Sequence, residues 1–210
     1  MYSFIYNYEE VLSPLIVFLV GLFMYKQIKP AEKQILSFSF ISIILAIYAV
    51  YKGHIKHENN VFIYHAFAQV EFGFFLSYIT SNQFLKKKIS KLLMGFYLLF
   101  GLINIFWLDT IYKYNSLGMA ISQIIILILC LNSILKIALS ESDMLFYKLP
   151  SFWVITGFLL FAVIGSISSV MTNAVSLELY YSIWEVKVNG NILKQFFFII
   201  ALICSKNIKQ

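Results

Sequence analysis

Residues 117–139 read LGMAISQIIILILCLNSILKIAL, and the first charged side chain in that stretch is Lys136. Crossing a hydrocarbon core of about 30 Å as an α-helix takes roughly 17–25 predominantly apolar residues. A surface helix of a soluble protein would carry a continuous polar face, whereas here Ser122, Gln123, Asn132 and Ser133 are scattered polar interruptions. The stretch reads as a membrane span. Comparable runs cover residues 11–25, 35–51, 61–80, 92–108, 152–171 and 184–204. Each reads as helix, because a lone spanning strand would leave backbone groups unsatisfied in lipid. The expected fold class is all-α: a polytopic membrane protein with seven transmembrane helices.

Composition agrees with that reading. The 210 residues are 60% hydrophobic, 18% aromatic and 12% charged, with mean hydropathy +0.82. A globular domain is typically about 45–50% apolar and about 25% charged, which excludes an ordinary soluble enzyme. Seven spans leave almost nothing over, so residues 1–210 are expected to form one helical bundle without a soluble domain. The opening residues carry Glu9 and Glu10 and no lysine, unlike the basic start of a cleavable signal peptide. Cys130 and Cys204 lie in apolar runs and read as packing residues, not as a disulfide framework. All sixteen basic residues are lysine; with the richness in Ile, Phe, Tyr and Asn, this suggests an AT-rich bacterial genome.

The connectors sort by charge. Segments 26–34, 81–91, 136–150 and 205–210 hold eleven lysines against Glu32, Glu141 and Asp143. The N-terminus, 52–60, 109–116 and 172–187 hold Lys52, Lys56, Lys113 and Lys187 against Glu9, Glu10, Glu58, Asp109, Glu178 and Glu185. Lysine accumulates on the cytoplasmic side of membrane proteins, which predicts an N-out/C-in topology in a bacterial inner membrane. Tyr51, Trp107, Tyr112, Trp153 and Trp184 fall near the predicted boundaries, as interfacial anchors do. The net charge of +6 comes from lysines flanking the spans, Lys86-Lys87-Lys88 among them. No aromatic-interleaved basic patch is present, so no nucleic-acid partner is expected.

Two charges fall inside the spans. A charge at mid-membrane costs about 2.5–3.5 kcal/mol on insertion scales. Glu71 lies ten residues into the third span and Lys194 ten residues into the seventh, counted from the same side. At about 1.5 Å per residue both sit near the bilayer middle, so an ion pair is geometrically available if those helices meet. On the seventh helix Trp184, Lys187, Asn191, Lys194 and Gln195 share one face at about 100° per residue. On the third, His65 and Gln69 share a face and Glu71 points roughly 120° away. Glu71, Lys194, Asn191, Gln69 and His65 form the candidate intramembrane polar site. Asn104, Gln123 and Asn132 read as interhelical hydrogen-bonding groups, and Gly165, Ser166, Ser168 and Ser169 as a small-residue patch for close helix approach. Pro14 is expected near the start of the first helix, where its missing N–H costs little.

No phosphate loop, His-Glu-x-x-His, Cys-x-x-Cys or nucleophile elbow occurs, and neither a cofactor nor a metal is expected. His54, His57 and Glu58 supply few ligands for a metal site. A seventh-helix lysine facing a third-helix carboxylate also occurs in retinal proteins. Here no second carboxylate sits on the third helix, and Gly190 stands four residues before Lys194 where an acid would be expected.

Three ordered segments carry a family resemblance: Asn59-Asn60-Val61-Phe62-Ile63-Tyr64-His65 with Glu71-Phe72, Ser151-Phe152-Trp153 with Thr156-Gly157, and Ile183-Trp184 with Asn191-Ile192-Leu193-Lys194. Together they resemble a group of uncharacterised short multi-spanning membrane proteins of Bacteroidota, over about a third of the chain. The chain departs from that pattern at Lys187, where the family tends to have His, and at Val163-Ile164-Gly165, where it tends to have a small polar run. The resemblance implies a sensor-type membrane module without an output domain. The expected function is sensing or regulation in the membrane, passed to a protein partner through the Lys-rich inner loops. The alternatives are a small ion or solute transporter or channel with a midplane polar site, and a lipid-acting membrane enzyme using His65 and Glu71 as acid and base.

Overall fold

The computed structural model describes residues 2–109, 113–139, 145–171 and 177–207. Seven long helices account for nearly all of them: α1 (Tyr2–Phe23), α2 (Pro30–Val50), α3 (Val61–Ser81), α4 (Lys87–Trp107), α5 (Ser116–Ala138), α6 (Pro150–Met171) and α7 (Leu177–Asn207). No strand occurs among the described residues. Five helical stretches are long and apolar enough to cross a membrane: Pro30–Gly53, Lys87–Trp107, Ser116–Ala138, Pro150–Ser169 and Ser182–Lys206. That is the signature of a multi-pass membrane protein. The sequence reading counted seven spans; α1 and α3 have the length but are not among these five. They carry Glu9 and Glu10, and His65, Gln69 and Glu71, respectively.

Local chemistry sets several helix starts. Pro30 opens α2 after an extended Lys29 (ψ 159°), and Pro150 opens α6, since proline's missing N–H costs nothing in a first turn. The start of α5 is held from the preceding segment: the Leu117 N–H donates to Asp109 Oδ2 (2.8 Å) and the Ser116 hydroxyl to Asp109 Oδ1 (3.3 Å). Asn104 on α4 donates to the same carboxylate (3.2 Å) and to Asn115 Oδ1 (2.8 Å). Asn104 thus ties two helices together. Asn132, by contrast, lies on the exposed side of α5.

Helix boundaries differ most at the two chain ends. The first helix begins at Tyr2, not near residue 11, because the aromatic-rich opening segment continues the helix. Pro14 is therefore interior and cannot donate to the Glu10 carbonyl four residues back. The seventh helix begins at Leu177, seven residues before Trp184. Glu141, Asp143 and Tyr112, which entered the charge and anchor readings, lie outside the described residues.

Consecutive helices pack in chain order, and α7 returns against α1, closing a ring. Helix α3 also packs on α5 and α2 on α7, which leaves α4 outside; only 11% of its apolar span is buried. The outer faces are strongly apolar, with Ile16, Leu92, Leu99, Phe106, Leu131 and Leu135 all exposed. A soluble monomer rarely presents so continuous an apolar surface, and lipid is the solvent that suits it.

Helices α6 and α7 approach each other closely at Gly157. A Cβ on Gly157 would stand 3.0 Å from the Phe197 Cβ and 3.2 Å from the Lys194 carbonyl oxygen, while Gly190 faces the Ile164 side chain. The obstacles at Gly157 are a backbone atom and a Cβ, which cannot rotate away. Gly157→Val should therefore lower stability in mild detergent by about 1–3 kcal/mol, the usual range for overpacking. A thermal melt checks it, and an unchanged melting temperature would contradict the close approach.

Candidate functional site

Helices α1, α3, α5 and α7 begin at the same end of the bundle. From that end a cavity of about 50 Å³ reaches towards the middle, lined among others by Glu9, Glu10, Glu71, Lys187, Asn191 and Gln195. Trp184, Tyr64, Phe67 and Phe161 supply aromatic walls, and Gln123 and Ser42 complete the polar lining. The volume admits more than one water-sized group, each needing about 10–15 Å³ on this measure.

Glu71 and Lys194 meet at the base of this cavity. Lys194 Nζ donates to Glu71 Oε1, with Lys194 0% and Glu71 4% exposed. Their helices are not an extensively packed pair, and the two side chains bridge the centre of the ring. The Lys194 ammonium also stands 3.8 Å from the centroid of Phe161 and 5.6 Å from that of Phe158, a cation–π setting. The other carboxylate oxygen accepts from Gln123 Nε2 at 3.4 Å. Gly165 lets Gln123 reach inward, since a Cβ there would lie 3.1 Å from the Gln123 carboxamide carbon.

A second carboxylate comes from α1. Glu9 Oε1 accepts from Asn191 Nδ2 (2.8 Å) and from the Ser13 hydroxyl (3.0 Å). Glu10 Oε2 accepts from the Tyr64 hydroxyl at 3.2 Å. Lys187 meets the Tyr114 hydroxyl and lies 3.3 Å from Met119 Sδ, with its ammonium over the Tyr114 and Trp184 rings.

Of the five candidate residues, Glu71, Lys194 and Asn191 come together. His65 and Gln69 do not join them. His65 is buried and donates from Nε2 to the Lys113 carbonyl oxygen (3.2 Å), which latches α3 to the segment before α5. Gln69 faces α4, with its Nε2 2.3 Å from where a Gly101 Cβ would be. The rotation that separates His65 and Gln69 from Glu71 on one helix turns them towards other neighbours. No His65–Glu71 acid–base pair is assembled. On α7, Trp184, Lys187, Asn191 and Gln195 line the cavity and Lys194 lies at its base. The His54 side chain lies outside the described residues, and no metal-ligating group of three occurs among those described.

Sequence reasoning missed Glu9 and Glu10, taken as exposed charges before the first helix. The available signal was Ser13, four residues after Glu9 and on the same helical face, within an aromatic-rich run. It also missed Glu32, counted as an inner-loop charge. Glu32 is buried in the first turn of α2, accepting from the Tyr78 hydroxyl (3.3 Å) and the Ser205 hydroxyl (3.3 Å). The Lys29 N–H in turn donates to Ser205 Oγ (2.9 Å). This network joins α2, α3 and α7 at the end opposite the cavity.

Between the two networks lies a cluster of four rings. Phe38 stacks on Phe74 (4.4 Å) and meets Phe198 edge-on (6.3 Å), while Phe158 packs against Phe74 (5.9 Å) and Phe198 (5.5 Å). These come from α2, α3, α7 and α6. No polar side chain of the cavity network bonds across this layer among the described residues.

Fold and site together define a polytopic helical membrane protein with a charged internal cavity. No protein-family model, curated protein or solved structure matches the chain.

Proposed function

We propose that this protein is a membrane-embedded sensory or regulatory protein of the bacterial inner membrane, acting through a protein partner. Seven spans in an N-out/C-in arrangement would open the cavity to the outer side. The Glu32 network would then lie at the inner face, beside the Lys-rich loops that meet the partner. The likeness of three segments to Bacteroidota membrane modules fits this role.

One observation carries the reading. Helices α3 and α7 each hold residues in both networks: Tyr64, Glu71 and Tyr78 on α3, and Asn191, Lys194 and Ser205 on α7. About eleven residues separate Lys194 from Ser205, or about 16 Å of rigid helix. A change in the cavity that moves either helix reaches the inner end without any intervening hinge. Such an element, with contacts that differ between two arrangements, is what transmembrane signalling requires.

Transport fits less well. A carrier or channel path would have to cross the Phe38–Phe74–Phe158–Phe198 cluster, which offers neither a donor nor an acceptor. The lipid-enzyme reading lacks its acid–base pair.

Affinity capture from native membranes in mild detergent, followed by mass spectrometry, tests the proposal. The expected result is a stoichiometric protein partner held by the wild type and reduced several-fold with Glu32→Leu, which removes the acceptor of the Tyr78 and Ser205 hydroxyls. A partner-free preparation that conducts ions or solutes in liposomes would overturn it.

A further inference from the structure

The cavity contains more hydrogen-bond acceptors than the protein satisfies. Glu9 Oε2, Ser42 Oγ, Gln123 Oε1 and Gln195 Oε1 are buried without a hydrogen-bond partner, and all four residues line it. These side chains are 1–4% exposed, so bulk water does not reach them freely. The Gln123 orientation is fixed chemically: its NH₂ group must face the Glu71 carboxylate, and its oxygen is therefore the atom left over. Glu9 Oε2 and the Gln123 oxygen can only accept, and Gln195 brings an amide oxygen to the same space. Pro14, also in the lining, withholds the N–H that would cover the Glu10 carbonyl.

Charge points the same way. Three carboxylates, Glu9, Glu10 and Glu71, surround the space with two ammonium groups, Lys187 and Lys194. Fully ionised, the set lacks one positive charge, and buried charges persist when they are paired. A proton on one carboxyl would balance the charge but add only one donor to a space lined by the Glu9, Gln123 and Gln195 oxygens. Lys194 shows what the site does with an ammonium: a carboxylate oxygen on one side and the Phe161 ring at 3.8 Å on the other. The neighbouring space offers a second carboxylate oxygen, on Glu9, and the Tyr64, Phe67 and Trp184 rings.

Resting on the reading of this protein as a sensor, we propose that the cavity takes a ligand and that this ligand is a small protonated amine, held by Glu9 Oε2 and the Gln123 and Gln195 amide oxygens against the aromatic wall. Several N–H donors, one positive charge and a small body satisfy the acceptors, the charge and the volume together. A hard metal ion gains less from aromatic walls, and an anion would meet three carboxylates.

The test is calorimetric titration of the full-length protein in mild detergent with methylammonium, and with sodium and acetate at matched ionic strength. Saturable binding of methylammonium alone is expected. Glu9→Gln should weaken it roughly 10- to 100-fold, the range for a hydrogen bond to a charged group. Gln195→Met keeps the side-chain volume while removing one acceptor, and should weaken binding about fivefold. It guards against a folding defect in the first variant. Binding of acetate, preference for sodium, or no binding of any of the three would each overturn the amine assignment. Equal methylammonium affinity in wild type and both variants would overturn the location. Partner capture is read separately, so the amine assignment can fail while the regulatory reading stands, and the reverse.

Discussion

Lys194→Met is expected to destabilise the protein by about 3–5 kcal/mol, the range for breaking a buried pair. For a chain of this length that corresponds to a fall in melting temperature of about 10 °C. The substitution leaves the Glu71 carboxylate in the bundle centre with only Gln123 as donor, at 3.4 Å. Glu71→Gln should also destabilise, because it strands an ammonium among Phe161, Phe158 and Phe38. The double variant Glu71→Gln/Lys194→Met should recover most of the loss, since removing both partners leaves no uncompensated charge. Thermal melts of the four proteins in one detergent settle it. If the single losses simply add in the double variant, the two side chains are not an energetic unit.

The second large effect belongs to the end opposite the cavity. Glu32→Leu preserves bulk but removes the acceptor of both the Tyr78 and Ser205 hydroxyls. Each buried donor left without a partner costs about 1–3 kcal/mol, so the variant, with two of them, should lose about 2–6 kcal/mol. Glu32→Leu/Tyr78→Phe removes one stranded hydroxyl and should regain part of that. Hydrogen exchange adds a local readout: the Lys29 amide, which donates to Ser205 Oγ, should exchange faster in Glu32→Leu. Unchanged melting and exchange would mean that Glu32 does not organise this end.

The helical architecture was legible because apolar runs of spanning length leave the backbone few alternatives. Depth counting from two helix starts also placed Glu71 and Lys194 at one level, and the pair forms. Two things escaped. Glu9, Glu10 and Glu32 were assigned to connectors because charge was taken to end a span. In the folded chain, Asn191, Tyr64, Tyr78 and Ser205 come from distant helices to hydrogen-bond them. Helix periodicity gives the relative directions of side chains on one helix but not which neighbour lies in each direction. That is why Gln69 and His65, two of the five candidate site residues, face α4 and the Lys113 carbonyl instead. The four-ring layer escaped for the same reason: in so aromatic a chain, no single phenylalanine advertises its partners.

The proposed function requires that the cavity and the Glu32 network be coupled through α3 and α7. Hydrogen–deuterium exchange of the wild type against Glu71→Gln/Lys194→Met tests it most directly, because the substitutions lie on the cavity side of the aromatic layer. Altered exchange is expected at the Lys29 amide and in the last turns of α7 around Ser205, beyond that layer, in a protein whose overall stability is close to wild type. Changes confined to the turns around residues 71 and 194, with the end opposite the cavity unaffected, would rule the coupling out.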